Sequence, residues 1–327
     1  MSESMKAINV TELGGSEVLT ISEMPIPEPR AGWVRIKVQS VGLNFADILN
    51  VRGEYLTRAR TPFIPGMEFS GIVDKLGAGV THLEVGQLVA ALGAGGFAEY
   101  AVVHAAAIMP IPANLNAREA AALPVSYYTA YFSLKTLGHA KDGETVLVEA
   151  AAGALGTASI QLAKAMNLNV IAVASTPEKL EIAKGLGADH VFLSGAENLR
   201  DLILGVTNKR GVDIYLSVSG GHGFEDRVTT FMNALGRVMV IGNASREPAT
   251  INPTMLMKKN VSVIGVWLTP LLQVAEIFQE ATAFMTPLLA SGAVKPIVGQ
   301  VFKLSDAGKA FEHVFSRAST GKVIIEP

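Results

Sequence analysis

The first candidate site is a short glycine-containing stretch, LVEAAAGALGTASIQLAKA, at residues 147–165. An apolar run enters it, a helix-like segment leaves it, and the spacing between them is A-x-x-G-x-x-G. Glycine lets the backbone approach a pyrophosphate closely, and the amides at a helix N-terminus attract the negative charge. The pattern is looser than G-x-G-x-x-G, so an ordinary packing turn is the alternative, but the strand–turn–helix context favours a dinucleotide site. The predicted cofactor contacts in this stretch are Ala150, Gly153, Ala154, Leu155 and Gly156.

The next strand-like run, NVIAVAS, indicates which dinucleotide this turn would bind. Sites for NAD usually place a carboxylate at the end of this strand, where it binds the ribose 2′-hydroxyl. Here Ser175 and Thr176 follow the strand, and Lys179 lies close behind them. Hydroxyls can bond a 2′-phosphate and an ammonium can neutralise it, although Glu178 would repel it unless it points away. The sequence therefore predicts a preference for NADPH, with a solvated surface lysine as the alternative for Lys179.

Two patterns of elements surround these residues in the 327-residue chain. The first ~120 residues alternate apolar and polar positions, as in WVRIKVQSVGL, which predicts half-buried strands. From about residue 125 short apolar runs alternate with helix-like segments, among them GFEDRVTTFMNAL, which predicts a doubly wound parallel sheet. The segment after about Thr269 is too short to form a domain alone, so we expect it to pack onto the first part of the chain.

Composition excludes several classes of protein. The net charge of −2 argues against a nucleic-acid-binding protein, and the absence of cysteine excludes disulfides and thiolate metal ligands. The N-terminal MSESMKAINV has no basic segment followed by an apolar one, and no uncharged apolar run reaches transmembrane length. We therefore expect a cytoplasmic protein without a membrane partner.

Five segments together resemble the zinc-independent quinone oxidoreductases, the zeta-crystallin-like branch of the medium-chain dehydrogenase/reductase superfamily. They are VGLNFADILNVRGEY, PFIPGMEFSGIVDKLGAGV, LPVSYYTAYFSL, VLVEAAAGALGTASIQLAKA and GKVII. The resemblance covers essentially the whole chain and implies an α/β fold, in which a Rossmann domain (125–267) is inserted in a β-rich GroES-like catalytic domain (1–124 and 268–327).

The activity that the resemblance implies is NADPH-dependent reduction of a quinone by hydride transfer. Two alternatives share this fold and cofactor: a reductase of enoyl-type α,β-unsaturated carbonyls, and a protein that binds NADPH with little turnover. In relatives the strand matching NVSVIGVWL pairs across a two-fold axis, and an unpaired apolar edge would favour aggregation, so a homodimer is expected.

The same resemblance implies that the reaction uses no metal. In zinc alcohol dehydrogenases of the superfamily, the metal ligands lie in segments that match VGLNFAD and PGMEFSG. Asn44 stands at the position of the first cysteine ligand and Met67 at that of the histidine. With Glu68, these side chains do not supply the donors that a catalytic zinc requires. An electron-poor conjugated acceptor remains suitable because it can spread the developing charge.

The resemblance also implies roles for individual residues. The predicted catalytic residues are Asn44, whose amide could donate to a developing oxyanion, Tyr55 at the acceptor and Thr129 near the nicotinamide. Leu49 replaces a tyrosine of some relatives, which predicts a less polar pocket. Further cofactor contacts are expected from Ser194, Ser217, Gly220, Ile241, Gly242, Asn243 and Lys322, and both Asn44 and Thr129 would also contact the cofactor. We expect structural or surface roles for the six histidines, for Asp47 and Glu68, and for Tyr127, Tyr128 and Tyr131.

Overall fold

The computed structural model describes residues 3–327, which form 15 strands and 11 α-helices. The strands are β1 (Ser4–Asn9), β2 (Thr20–Pro25), β3 (Trp33–Leu43), β4 (Glu68–Leu76), β5 (Leu88–Leu92), β6 (Tyr100–His104), β7 (Ile108–Pro110), β8 (Thr145–Val148), β9 (Asn169–Ala174), β10 (His190–Leu193), β11 (Val212–Ser217), β12 (Met232–Val240), β13 (Ser262–Gly265), β14 (Val298–Lys303) and β15 (Lys322–Glu326). The helices are α1 (Phe45–Val51), α2 (Ala117–Ala121), α3 (Pro124–Tyr131), α4 (Ala154–Ala165), α5 (Pro177–Gly185), α6 (Leu199–Val206), α7 (Phe224–Phe231), α8 (Pro253–Met257), α9 (Leu268–Leu272), α10 (Ala275–Ser291) and α11 (Ala307–Phe315).

The chain divides into two compact units. One contains the described residues as far as Val125 together with Thr286–Pro327, and the other contains Ser126–Met285. The second boundary thus lies after the predicted one at residue 267. The reason is visible in the second unit, where Tyr128 stacks on Phe278 with ring centroids 4.8 Å apart and its hydroxyl lies 2.5 Å from that of Thr282. These contacts keep the first part of α10 with the second unit.

The first unit is built on a largely antiparallel sheet with the strand order β14-β15-β3-β4-β5-β7, and β6 also pairs with β3. The alternation in β3 behaves as predicted, because Val34, Ile36 and Val38 are buried in the core of this unit. Successive side chains of a strand point to opposite faces, so one face of β3 contributes to the core. The sheet brings the end of β3, the beginning of β4 and the beginning of β15 together.

The second unit contains a six-stranded sheet in which every pair is parallel, with the order β10-β9-β8-β11-β12-β13. The strand order reverses between β8 and β11, and ligands of such sheets bind at the carboxyl ends of the strands beside this reversal. The predicted α/β fold with a doubly wound parallel sheet is confirmed. The A-x-x-G-x-x-G stretch follows β8 and therefore lies at this reversal.

One predicted helix is too long. The segment GFEDRVTTFMNAL is helical only as far as Phe231, and β12 begins at Met232. Lys259 explains the change, because its ammonium donates to the carbonyl of Met232 at 2.6 Å and its own carbonyl accepts from Leu235 N at 2.7 Å. These bonds tie Met232 and Leu235 to Lys259, and Leu235 has a positive φ of 61°, a path that sequence periodicity does not reveal.

Candidate functional site

The turn between β8 and α4 has a tightly determined backbone. Ala150 adopts a left-handed conformation with φ of 48°, and its carbonyl accepts a hydrogen bond from Gly153 N at 2.8 Å. Ala151 N donates to Val173 O at 3.1 Å, which joins the turn to the end of β9. Phosphate-binding turns often have a glycine at the position of positive φ, and here that residue is Ala150.

The two glycines of the turn serve different purposes. A Cβ atom at Gly156 would lie 2.4 Å from Ala150 O and 2.6 Å from Ala151 Cα, so only glycine fits where α4 crosses the turn. A Cβ atom at Gly153 would meet only Ala150 O, at 3.3 Å. Gly153 has φ of −76°, in the range of any residue, so its missing side chain matters for access to the helix N-terminus rather than for backbone conformation.

The first backbone amides of helix α4 have no hydrogen-bond acceptor within the helix. Thr157 N donates to Gly153 O at 2.9 Å as the helical pattern starts. The amides of Ala154, Leu155 and Gly156 precede it and therefore lie outside the helical ladder. Together with the helix dipole, they provide an environment that favours an anion. The turn has the form that a pyrophosphate requires.

The predicted 2′-phosphate residues gather at the carboxyl ends of β9 and β10. Ser194 N donates to Ala174 O at 2.8 Å, which places Ser194 beside Ser175, and both serines are exposed. Thr176 caps α5 by accepting from Lys179 N at 3.4 Å. Its hydroxyl also hydrogen-bonds the carboxylate of Glu178 and lowers the pKa of that group. The hydroxyl of Thr176 is therefore already engaged, while the two serine hydroxyls and the Lys179 ammonium define the polar character of this edge.

The ends of β11 and β12, which carry further predicted cofactor contacts, run side by side. Ile241 N donates to Ser217 O at 2.9 Å, and Ala244 N donates to Val218 O at 2.9 Å. Gly220 has φ of 59°, and a Cβ atom there would lie 2.3 Å from Asn243 Oδ1. The amide of Asn243 accepts from Ser245 Oγ at 2.9 Å and donates to Glu247 O at 3.0 Å. Gly242 lies between Ile241 and Asn243, and a Cβ atom at Gly242 would lie 3.3 Å from Val218 O.

Sequence reasoning missed Glu149, the residue directly after β8. Its carboxylate accepts from the hydroxyl of Tyr215, from the amides of Val218 and Ser219 at 3.0 Å each, and from Ser219 Oγ at 2.7 Å. Arg227 lies 3.7 Å away and donates through Nη2 to Gly220 O at 2.6 Å. Glu149 thus fixes the loop that follows β11. The signal was a charged residue at the end of the apolar run VLV.

In the first unit, Asn44 lies at the beginning of α1 and forms a capping box with Asp47. Asn44 N donates to Asp47 Oδ2 at 2.9 Å. The Asn44 amide donates through Nδ2 to Glu68 Oε1 at 2.9 Å and to Gly42 O at 3.3 Å, and its Oδ1 accepts from Lys322 Nζ at 2.6 Å. Its amide hydrogens are therefore directed to neighbours within this unit rather than to an open position for an oxyanion.

Lys322 corrects one prediction. We expected it to reach the cofactor phosphates, but it is 1% exposed and forms an ion pair with Glu68, which is 0% exposed. Since the ammonium is buried among protein groups, it is not available to an exposed phosphate. Glu68 also accepts from Val125 N through Oε2 at 2.7 Å. A structural role for Glu68 agrees with these contacts.

Asp47 is a buried carboxyl group beside this ion pair. Burial raises its pKa from 3.8 to about 7, the backbone amide of Asn44 and the charge of Lys322 oppose the rise, and the charge of Glu68 adds to it. Within residues 3–327 its Oδ1 has no hydrogen-bond partner. Asp47 is therefore a titrating group near neutral pH.

The remaining predicted residues are distributed over both units. Tyr55 is half-buried in the first unit, and Thr129 is buried in α3 of the second. Tyr127, Tyr128 and Tyr131 are buried, which agrees with packing, and none of the six histidines, all of them described, is buried. The described residues contain no group of three or more His, Asp or Glu side chains arranged to hold a metal ion. None of the helices in 3–327 has the length and apolar content to cross a membrane.

Comparisons with known families match both parts of the fold. The family described as "Alcohol dehydrogenase GroES-like domain" matches residues 30–113, and "Zinc-binding dehydrogenase" matches residues 154–286. These two domains together define the medium-chain dehydrogenase/reductase superfamily, an oxidoreductase class.

Individual relatives similar to this chain include quinone oxidoreductases of this superfamily. The bovine "Quinone oxidoreductase-like protein 2" is 37% identical, over 89% of this chain and 84% of its own length. The mouse "Quinone oxidoreductase" is 34% identical, over 98% and 97%. The quinone oxidoreductase from Thermus thermophilus, solved also as a complex with NADPH, is 42% identical with a TM-score of 0.86, over 99% of this chain and 100% of its own. The chain belongs to the zeta-crystallin-like quinone oxidoreductase family, as its sequence segments indicated.

Proposed function

We propose that this oxidoreductase reduces a quinone with NADPH. The observation that carries the proposal is the turn between β8 and α4, where the close contact at Gly156 and the N-terminal helix amides form a pyrophosphate cradle. The bound nicotinamide cofactor would supply the hydride. The NADPH complex of the Thermus thermophilus relative supports this choice.

NADPH rather than NADH is favoured by the groups at the ends of β9 and β10. Ser175, Ser194 and Lys179 offer hydroxyls and an ammonium for the 2′-phosphate, and no carboxylate occupies the strand end itself. Glu178, in the first turn of α5, hydrogen-bonds the hydroxyl of Thr176, which lowers the pKa of its carboxyl group. The expected result is a lower KM for NADPH than for NADH, and equal values would reject this part of the proposal.

A reaction without a catalytic metal is supported by the side chains around Asn44. Amide and thioether groups replace the ligands of zinc alcohol dehydrogenases at Asn44 and Met67. The ammonium of Lys322 contacts both Asn44 Oδ1 and Glu68. The positive charge of this ammonium repels a divalent cation, and the ammonium already binds the oxygen atoms of Asn44 and Glu68 that could coordinate one.

For the acceptor, we retain Asn44, Tyr55 and Thr129 as proposed contacts. The Asn44 bond to Gly42 O is its longest, at 3.3 Å, and is the one that an acceptor oxygen would replace. A conjugated acceptor needs no strong Lewis acid, because its own π system spreads the developing charge. Reduction of an enoyl-type carbonyl is the second candidate, since the same groups would serve it.

Product analysis separates these candidates. The purified protein is incubated with NADPH and either a small quinone or an α,β-unsaturated ketone, and the products are identified by mass spectrometry. Formation of hydroquinone with a higher kcat/KM supports the quinone proposal, and preferential formation of saturated ketone supports the second candidate. Tight NADPH binding without turnover of either acceptor would instead favour a binding protein.

A homodimer is also proposed, because β13 ends the six-stranded sheet and pairs only with β12 within the described residues. Val263 and Ile264 of this strand are both half-buried. An exposed strand edge is a template for pairing with a second copy. Sedimentation of a monomer at micromolar concentration would contradict this proposal. The cytoplasmic location stays a prediction.

A further inference from the structure

Lys322 lies in a buried polar cluster that joins four segments of the first unit. The segments contribute Asn44 at the end of β3, Glu68 at the beginning of β4, Lys322 at the beginning of β15 and Val125 at the beginning of α3. The ammonium and the carboxylate are both shielded from water. Burying such a pair is costly, so it remains only where its geometry and its hydrogen bonds compensate.

The chemistry of the cluster assigns every hydrogen-bond direction. An ammonium only donates and an ionised carboxylate only accepts. The Asn44 side chain therefore turns Oδ1 to Lys322 and Nδ2 to Glu68, and the reverse orientation would face donor with donor and acceptor with acceptor. The orientation of this amide is thus imposed by the ion pair and not by the capping box alone.

We propose that Lys322 is a positioning residue, whose buried ammonium fixes the Asn44 amide and with it the beginning of α1. This inference rests on the proposed function, in which Asn44 contacts the acceptor. In this role Lys322 acts through Asn44 and Glu68, the two side chains that its ammonium contacts. Glu68 also binds the backbone of Val125, since its second oxygen accepts from Val125 N.

The polar cluster leaves no room for a side chain at the neighbouring Gly42. A Cβ atom at Gly42 would lie 2.7 Å from Glu68 Oε1, 2.7 Å from Lys322 Cε and 2.5 Å from Ala121 O. Gly42 is in β3, where a glycine has no advantage in strand propensity. A side chain here would collide with the backbone of Ala121 as well as with both members of the ion pair. Gly42→Ala should therefore disturb the same residues as a change at Lys322.

Three variants test the proposal. Lys322→Met removes the charge at similar length, Lys322→Arg restores it, and Lys322→Met/Glu68→Gln removes both charges so that no buried charge is left unpaired. Lys309→Met is the matched control, because Lys309 is an exposed lysine paired with Asp306 at 2.7 Å. For each variant, kcat, the NADPH Kd and the hydrogen exchange of residues 44–51 are measured.

The positioning role predicts that kcat of Lys322→Met and of the double variant falls about tenfold or more, since small misplacements of a reacting group are costly. The NADPH Kd should change less than kcat, because Asn44 is one of many predicted cofactor contacts and Lys322 does not hold those in the β8–α4 turn. Amides of 44–51 should exchange faster than in the control, because the cap of α1 is loosened. Lys322→Arg should recover part of kcat and of the protection. If Lys322→Met does not fold, the double variant gives the same readouts.

Two results would overturn the proposal. One is a large rise in the NADPH Kd with unchanged kcat and exchange, which would make Lys322 a phosphate ligand. The other is normal exchange of 44–51 with normal kcat in both charge-removing variants. If the unmodified protein reduces no acceptor, the proposed function fails, but hydrogen exchange still decides whether Lys322 holds Asn44.

Discussion

The contrast between the two glycines of the β8–α4 turn gives the sharpest prediction of the structure. Replacing Gly156 by alanine places a methyl group 2.4 Å from Ala150 O and 2.6 Å from Ala151 Cα. Both atoms belong to the backbone, so neither can rotate away. Replacing Gly153 by alanine meets one atom at 3.3 Å in a backbone conformation that alanine adopts readily.

The expected energies differ accordingly. Overpacking of this kind costs about 1–3 kcal/mol, and each kcal/mol shifts the unfolding midpoint of a domain of this size by about 2–4 °C. For Gly153→Ala, alanine is a poorer N-cap than glycine by about 0.5–1 kcal/mol, and the smaller entropy of the unfolded chain offsets this by about 0.4–1 kcal/mol. The midpoint of Gly153→Ala should therefore stay near that of the unmodified protein.

NADPH binding should respond differently from stability. The Gly153→Ala methyl stands at the approach to the helix amides, so we expect the NADPH Kd to rise about tenfold, equivalent to about 1.4 kcal/mol. Gly156→Ala should weaken both binding and stability. Thermal unfolding by circular dichroism and fluorescence titration with NADPH provide the two measurements. The reasoning is refuted if Gly156→Ala unfolds at the original temperature, or if Gly153→Ala binds NADPH with unchanged affinity.

Three further predictions concern single side chains. Lys179→Met should raise the KM for NADPH about tenfold by removing one charged partner of the 2′-phosphate, and leave the KM for NADH unchanged; equal effects on both would contradict the assignment. Asp47 holds its proton more tightly in the folded protein, so its contribution to the free energy of unfolding falls as pH rises from about 4 to about 7, by up to about 4 kcal/mol. Asp47→Asn should abolish this fall, which urea unfolding at pH 4.5 and 8 measures. A difference in stability between the two proteins that does not change with pH would be inconsistent with this prediction. Glu149→Gln should lower the free energy of unfolding by about 1–3 kcal/mol and speed hydrogen exchange of residues 217–223. Unchanged exchange there would show that Glu149 does not hold the loop.

The sequence predicted the parallel sheet correctly and marked the turn after β8 as a candidate site because both have local signals. Apolar runs mark the strands, Thr176 and Pro177 mark the start of α5, and glycine spacing marks the turn. The helix predicted through Leu235 was wrong because Lys259, distant in sequence, binds the backbone of Met232. Local periodicity contains no information about that contact.

Long-range polar contacts account for the part of the site that sequence did not predict. Lys322 is 278 positions from Asn44, and its C-terminal segment reads as an ordinary strand with a lysine at its start. Only the pairing of β15 with β3 shows that this lysine is buried next to the amide. Glu149 is similar, since its partners lie on β11 and the loop after it.

We propose that this chain transfers a hydride from NADPH to a conjugated acceptor without a catalytic metal. The direct measurement is the rate of NADPH oxidation with a small quinone, using protein dialysed against a chelator and assayed for residual zinc. We expect oxidation well above the uncatalysed rate, unchanged by the chelator and by added zinc. Oxidation no faster than background, or activity lost on chelation and restored by zinc, would contradict it.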